Sequence, residues 1–383
     1  LGVIELSLLF ILELFLVVCT CNMLTAPESY KVIGLMSGTS LDGLDIAYCH
    51  FENKGGIWKF SIEKTADIQY TARFKEKLKN TVQLNTIDLL AFHNEYGSWL
   101  GDKAADFIAK NKLDVDFISS HGHTVFHQPE IGVTYQIGSG QHVANRSKKK
   151  VICDFRTNDV ALGGQGAPLV PIGDQLLFGI YDFCLNLGGI SNISFQSNHT
   201  RIAYDIAPVN MILNYLCQKI DLAYDKGGNL ASSGIVNTDL LNKLNGLEYY
   251  KKTFPKSLGY EWFLEKIIPL IEKADDSIEN LLHTSVHHIT DQIAKSVKEI
   301  KKENTLLLIT GGGAKNDFLI KMLQQKVKQT VNVVIPEEKI IDFKEALIFA
   351  FMGVLKERKE INCLHTVTGA EKDSSSGVIY YPS

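Results

Sequence analysis

Nowhere in its 383 residues does the sequence carry G-x-x-x-x-G-K-[ST], so a P-loop nucleotide site is excluded. It also lacks a basic excess. Its 39 Lys and Arg stand against 43 Asp and Glu, a net charge of −4, which argues against nucleic acid as a partner. Cysteine is sparse and odd in number. Seven residues scattered along a chain this long do not make a disulfide framework and read as reduced thiols in a cytoplasmic protein. Cys19 and Cys21 lie close together, but no second pair or His cluster follows at zinc spacing. The apolar stretch from Leu1 to Thr25 has no Lys or Arg ahead of its hydrophobic run and carries Glu5 and Glu13, which argues against a signal or membrane segment. Leu16-Val17-Val18-Cys19 lacks the small residue that a lipoprotein cleavage site wants before its cysteine. The expectation is that translation begins at Met23 and that residues 1–27 stand outside the fold.

What is present points to an α/β chain of two domains. The length exceeds the roughly 250–300 residues over which one hydrophobic core keeps growing. Lys31 to Met36 is a short apolar run that ends in Ser37-Gly38-Thr39-Ser40-Leu41-Asp42-Gly43, and a second run, Leu44 to Phe51, follows. That pattern predicts two strands joined by a glycine turn. A similar unit recurs at Phe183–Leu187, Gly188-Gly189-Ile190-Ser191-Asn192 and Ile193–Phe195, which suggests two domains built on one plan. Helical periodicity runs over Asn85–Lys110, Val209–Leu222, Ser277–Lys302, Asn316–Val327 and Lys344–Lys356. Strands are expected at Val115–Ser120, Leu306–Thr310 and Val331–Ile335. We therefore expect mixed sheets and an interdomain cleft, with residues 28–158 as the first domain, joined by the tail 360–383, and 159–359 as the second.

Three glycine-rich loops carry the chemistry. In Gly38-Thr39-Ser40-Leu41-Asp42-Gly43-Leu44-Asp45, backbone N–H groups and the two hydroxyls can converge on phosphate oxygens, and Asp42 can hold a hydrated Mg²⁺. Gly188-Gly189 forms the partner turn. Gly311-Gly312-Gly313 stands between a strand and a helix, where an anion or a closely packed flat ring fits. His121, His123 and His127 form a sparse histidine group without an acidic ligand at obvious spacing, so Mg²⁺ carried by ATP is the one metal expected.

Taken in order, the motifs resemble those of the anhydro-N-acetylmuramic acid kinases, members of the actin/hexokinase/heat-shock ATPase superfamily. They are Gly34-Leu35-Met36-Ser37-Gly38-Thr39-Ser40-Leu41-Asp42-Gly43, Ser120-His121-Gly122-His123-Thr124, Asp154-Phe155-Arg156, Gly163-Gly164-Gln165-Gly166-Ala167-Pro168-Leu169-Val170-Pro171, Leu187-Gly188-Gly189-Ile190-Ser191-Asn192, Gly311-Gly312-Gly313 and Thr368-Gly369-Ala370. The resemblance implies a two-lobed actin/hexokinase-like (ribonuclease H-like) fold and the reaction of ATP and water with 1,6-anhydro-N-acetylmuramic acid to give N-acetylmuramic acid 6-phosphate, a step in cell-wall recycling. It implies that Gly38 to Asp45 and Gly189 face phosphates and that Gly312 and Gly313 face the nucleoside. It makes Asp205, in Tyr204-Asp205-Ile206-Ala207-Pro208-Val209-Asn210, the base that activates water, and Glu345 the residue that helps orient it. It sets His121, Arg156 and Asp159 around the sugar, where an Arg fork suits a carboxylate. A homodimer is a family expectation.

Read from the residues alone, Asp205 could be an N-cap for the helix from Val209, Glu345 a solvated helix face, and Arg156 an ion-pair partner of Asp154 or Asp159. The chain departs from the family at three places. His123 stands where Gln is common, Asn158 where a second Arg is usual, and Val209 where Gly is usual. His123 raises the expectation of a pH-sensitive contact. The rival functions are a superfamily sugar kinase acting on a free hydroxyl without ring opening, and an ATP-dependent, sugar-responsive switch.

Overall fold

The computed structural model describes residues 27–38, 41–298, 305–328 and 331–383. The readings of Cys19, Cys21 and Met23, and the expected phosphate contacts of Thr39 and Ser40, lie outside the described residues. In chain order the elements that shape the molecule are β1 (Ser29–Met36), β2 (Gly43–Lys54), β3 (Ile57–Gln69), α1 (Thr86–Asn111), β4 (Phe117–Ser120), β5 (His123–Gln128), β6 (Val133–Ile137) and β7 (Lys150–Cys153). There follow α2 (Pro171–Leu176), β8 (Phe183–Leu187), β9 (Ile190–Ser197), β10 (Thr200–Pro208), α3 (Asn210–Gln218), α4 (Ile278–Lys298), β11 (Thr305–Thr310), α5 (Asp317–Val327), β12 (Val331–Val334), α6 (Glu338–Glu357) and β13 (Val378–Tyr380).

One sheet runs β13-β7-β4-β1-β2-β3 and the other β10-β9-β8-β11-β12. In each, three consecutive strands form an antiparallel meander whose first member pairs parallel with a later strand, and that strand pairs parallel with the next. The two glycine hairpins therefore occupy equivalent places in two sheets of one plan. β13 adds the tail to the first sheet by pairing antiparallel with β7.

Alternation along β2 sorts the first sheet's two faces. Leu44, Ile46 and Tyr48 pack with Phe92, Tyr96 and Leu100 of α1. Ala47, Cys49 and Phe51 turn to the other face, against Phe349 and Phe351 of α6. The same core takes in Cys184 of β8 and Leu308 of β11, so α6 lies between the two sheets and touches both. Its run Ala346–Leu355 is buried on every side, as a helix so placed must be. The close fit depends on glycine. A Cβ on Gly34 of β1 would stand 2.0 Å from the Ala346 carbonyl oxygen, and one on Gly353 would stand 2.7 Å from Ser119 Oγ. The Ser119 hydroxyl in turn donates to Phe349 O at 2.5 Å.

Several boundaries differ from expectation. α6 begins at Glu338, ahead of Lys344, because two helical pieces join across a kink at Phe343. Gly312–Lys315 forms a tight 3-10 turn, and α5 starts after it with Asn316 as its cap, the Asn316 side chain accepting from Leu319 N at 3.0 Å. The helix end after the glycine triplet is thus capped by Asn316. β3 has no counterpart in the expected elements. Among the described residues, no helix is long and apolar enough to cross a membrane.

Candidate active site

Gly43, Leu44 and Asp45 open β2, directly after the first glycine turn. Leu44 is buried in the α1-facing core, so its side chain is turned away from any ligand and its backbone alone is on offer. Leu41 has φ +59°, an unusual conformation for a branched side chain, and its N–H reaches Gly38 O at 3.4 Å. Asp45 pairs across the hairpin with Asp67 of β3. Burial, and the negative charges of Asp67, Glu345, Asp342 and Asp42, push the Asp45 carboxyl up to about 7. The first phosphate-loop candidate thus sits at the edge of an acidic group gathered from β2, β3 and α6.

Glu345 belongs to that group. Its side chain is exposed to water, between the buried residues Lys344 and Ala346 of α6. Burial raises its pKa, while the positive charges of Arg156 and Lys344 oppose the rise. Lys344 itself points the other way, into a buried ion pair with Asp174 of α2 at 2.7 Å.

Arg156 donates through Nε and Nη2 to His121 Nε2, at 3.1 and 2.9 Å, and through Nη1 to Gly166 O at 2.6 Å. His121 is therefore neutral, with its proton on Nδ1 and given to Gly122 O at 3.0 Å. Burial first, and then the Arg156 charge, hold its pKa well below the usual histidine range. Among the described residues no carboxylate lies within ion-pairing distance of Arg156, contrary to the Asp154 or Asp159 alternative. Of its five N–H groups two are left for a ligand. Asp159 has 0% exposure, and its carboxylate accepts from Gly166 N at 2.8 Å and from the Thr368 hydroxyl at 2.7 Å. It holds the Gly163–Gly166 turn behind Arg156. Each carboxylate oxygen of Asp159, the third residue expected around the sugar, is thus engaged by a protein donor.

On the second sheet, β10 bulges between Asp205 and Ala207 and runs into the second glycine turn. Val209 N and Met211 N donate to Gly189 O at 2.8 and 3.2 Å, Asn210 N donates to Gly188 O at 3.2 Å, and Asn210 Nδ2 donates to Leu187 O at 3.1 Å. The start of α3 is thus capped by the turn itself, and Asp205 is not its N-cap. The Asp205 Oδ2 atom instead accepts from Leu258 N at 2.9 Å, and its backbone carbonyl accepts from the Tyr249 hydroxyl at 2.7 Å. Burial raises its pKa, and the Leu258 bond opposes that rise.

Gly313 packs on Leu187, and a Cβ on Gly311 would stand 2.4 Å from Asn186 Oδ1. This brings the glycine triplet and the second hairpin turn together. Gly312 is the open member of the triplet.

Four contributors escaped the sequence reading. Asp67 and Asp342 complete the acidic group. Lys315 leaves the glycine turn to reach Asp342 at 2.7 Å and Glu338 at 3.3 Å on α6, tying the second sheet's loop to the helix that carries Glu345. The turn Lys226–Gly228 packs against the Asn316 cap, so closely that a Cβ on Gly228 would be 2.2 Å from Asn316 Oδ1. Lys226-Gly227-Gly228-Asn229 is a visible turn signal for this last contact. Among the described residues no group of three or more His, Cys, Asp or Glu is placed to hold a metal ion. The carboxylates near Asp45 are hard oxygen donors suited to Mg²⁺ through water, as when the ion arrives on a nucleotide.

A sequence model of the anhydro-N-acetylmuramic acid kinase family matches residues 30–382. The anhydro-N-acetylmuramic acid kinase of Hydrogenovibrio crunogenus is 33% identical over 371 residues, 93% of this chain and 99% of that protein. That of Francisella tularensis subsp. novicida is 32% identical over 381 residues, 92% of this chain and 100% of that protein. Among solved structures, the activator of 2-hydroxyisocaproyl-CoA dehydratase from Clostridium difficile aligns over 86% of this chain and 97% of its own, with a TM-score of 0.41 and 11% identity, too distant to add to the assignment. On the family match and the near full-length relatives, the chain belongs to the anhydro-N-acetylmuramic acid kinase family, ATP-using phosphotransferases with an alcohol group as acceptor.

Proposed function

We propose that this kinase couples phosphorylation to hydrolysis: water attacks the anomeric carbon of 1,6-anhydro-N-acetylmuramic acid, the C1–O6 bond breaks, and O6 takes the γ-phosphoryl group of ATP, giving N-acetylmuramic acid 6-phosphate and ADP. The observation that carries this reading is Asp205. It is a half-buried carboxylate with one oxygen fixed by Leu258 N and no salt bridge among the described residues, and its pKa is raised by burial. A carboxylate whose pKa is raised in this way is, when ionised, a better proton acceptor than a solvated aspartate, as water activation at an acetal carbon demands. The water proton goes to Asp205, while Glu345 orients the water.

Arg156, with two N–H groups left and an orientation fixed by His121 and Gly166, takes the lactyl carboxylate of the sugar. Gly38 to Asp45 and Gly189 receive the phosphates through backbone N–H groups, and Gly312 leaves room for the nucleoside beside Gly313, which packs on Leu187. Mg²⁺, when bound with ATP, would neutralise phosphate charge beside Asp42 and Asp45, which otherwise repel it. The lobes of this proposal are residues 28–158 with 360–383, and 159–359, with α6 lying between their sheets. Their closing on the substrates excludes bulk water that would compete for the phosphoryl group. A place in cell-wall sugar recycling follows from the substrate. A cytoplasmic setting fits the five described cysteines, all free and buried.

The test is turnover of Mg-ATP and 1,6-anhydro-N-acetylmuramic acid in ¹⁸O-water with mass analysis of the product. We expect one ¹⁸O per phosphorylated sugar, and loss of product in Asp205→Asn. Phosphorylated sugar without ¹⁸O, or an Asp205→Asn variant with unchanged turnover, overturns the coupled mechanism.

A further inference from the structure

Four side chains gather at the entry to the first glycine turn: Ser37 just after β1, Tyr70 just after β3, Tyr96 on α1 and His123 on β5. Ser37, the residue immediately before Gly38, is 2% exposed, and its Oγ lies 2.7 Å from the Tyr70 hydroxyl and 3.1 Å from His123 Nδ1. The Tyr70 hydroxyl lies 2.7 Å from that of Tyr96 on α1. His123 opens β5, is 4% exposed, and sets its ring edge-on to Tyr96 at 6.3 Å.

Ser37 follows the last residue of β1. Tyr70 follows the last residue of β3, Gln69, which is the register partner of Gly43 where β2 begins. Gly38 therefore follows a residue anchored by Tyr70 and His123, and Gly43 pairs with the residue that precedes Tyr70.

Proton bookkeeping shows why the fourth member matters. Each hydroxyl carries one proton. Burial pushes His123 down to about 4, so the ring is neutral at neutral pH and carries a single ring proton. With that proton on Nε2, the Nδ1 atom accepts from Ser37, Ser37 accepts from Tyr70, and Tyr70 accepts from Tyr96. One direction then satisfies every link. Without an acceptor at position 123 the three hydroxyls share only two links, so one buried hydroxyl proton has no partner whichever way the chain runs, and the hydroxyls turn or the segment shifts.

We infer that His123 is a positioning residue for nucleotide binding, which fixes the phosphate-facing turn by anchoring Ser37 at the head of this buried chain. The inference rests on the reading of Gly38 to Asp45 as the phosphate site. It does not depend on which sugar is phosphorylated. Gln at position 123 keeps an acceptor oxygen within reach of Ser37, whereas Leu keeps the bulk and removes it.

The experiment is calorimetric titration of the full chain with Mg-ATP, for the wild type, His123→Leu, His123→Gln and Tyr70→Phe, with thermal unfolding alongside. His123→Leu should weaken Mg-ATP binding about fivefold to tenfold, and His123→Gln should stay within about twofold of the wild type. Should His123→Leu fail to fold, Tyr70→Phe carries the test, because it removes the hydroxyl that links Ser37 to Tyr96 and keeps the ring; it should weaken binding about threefold or more. Variants that lose thermal stability yet bind Mg-ATP as the wild type does would make the chain a packing feature and overturn the inference. A wild type that binds Mg-ATP but does not phosphorylate the anhydro sugar would sink the proposed function and leave this inference standing on the binding data.

Discussion

Replacing Asp45 by Asn should make the protein more stable at alkaline pH, and the gain can be worked from the structure. In the folded state the Asp45 carboxyl is pushed up to about 7 from an ordinary 3.8, by burial and by Asp67, Glu345, Asp342 and Asp42. A proton is therefore held more tightly in the folded than in the unfolded chain. The associated stability is full below pH 3.8 and is lost as pH rises through 7. A difference of about 3 pH units corresponds to about 4 kcal/mol. Water reaches part of the side chain and screens the repulsion, so about half, ~2 kcal/mol, is expected. Asparagine is nearly isosteric and uncharged, so Asp45→Asn should exceed the wild type by that amount at pH 8 and lose the advantage near pH 4.5. Urea unfolding at the two pH values measures it. Millimolar Mg²⁺ should raise the wild-type midpoint at pH 8 more than that of the variant. An Asp45→Asn protein equally stable as, or less stable than, the wild type at pH 8 would refute the claim that these carboxylates repel one another.

Two further outcomes follow from packing and burial. Gly34→Ala would set a methyl group 2.0 Å from the Ala346 carbonyl oxygen, so α6 must move off β1; a loss of about 3 kcal/mol in urea unfolding is expected, with a fall in turnover beyond the folded fraction because Glu345 moves with the helix. His288 is buried between Asn245 Oδ1 at 2.6 Å and the Tyr250 hydroxyl at 3.0 Å and is pushed down to about 3, so the unfolded chain takes up its proton first as pH falls below 6.5. Between pH 6.5 and 5 this should cost the wild type about 2 kcal/mol that His288→Gln does not lose, read as a flatter dependence of urea midpoint on pH.

The glycine hairpins were legible in the sequence because their signal is local: an apolar run, a turn of Gly and Ser, and another apolar run. β3 was not, since Ser61-Ile62-Glu63-Lys64-Thr65-Ala66-Asp67 mixes charge into an edge strand whose existence is decided by its partner β2. That omission hid Asp67, and with it the acidic group at Asp45. Asp159 and Arg156 show the same limit in reverse. Their types suit a sugar site, but whether a carboxylate is free or already bound to Gly166 N and Thr368 depends on contacts far apart in the chain. His123 stood out as a departure, and a pH-sensitive contact was the natural reading. Its burial keeps it neutral at neutral pH and turns its role toward Ser37.

The least legible element is the most consequential for the site. α6 reads locally as one amphipathic helix from Lys344, yet it starts six residues earlier, kinks at Phe343, and lies between the sheets. Its first piece offers Glu338 and Asp342 to Lys315 of the second sheet's glycine turn, and its second piece sets Glu345 beside the charge of Arg156 and lays its backbone on Gly34. Lys344 is spent inward on Asp174, within reach of Arg201, whose guanidinium lies 3.8 Å from the same carboxylate. A substitution that breaks this inward pairing leaves a charge unpaired in a dry interior, a cost large enough to shift the helix. The carboxylate next to Lys344 is the one proposed to orient water, so the geometry at Glu345 is set jointly by a glycine on one sheet and a buried ion pair facing the other, and neither is visible from the residues that flank it.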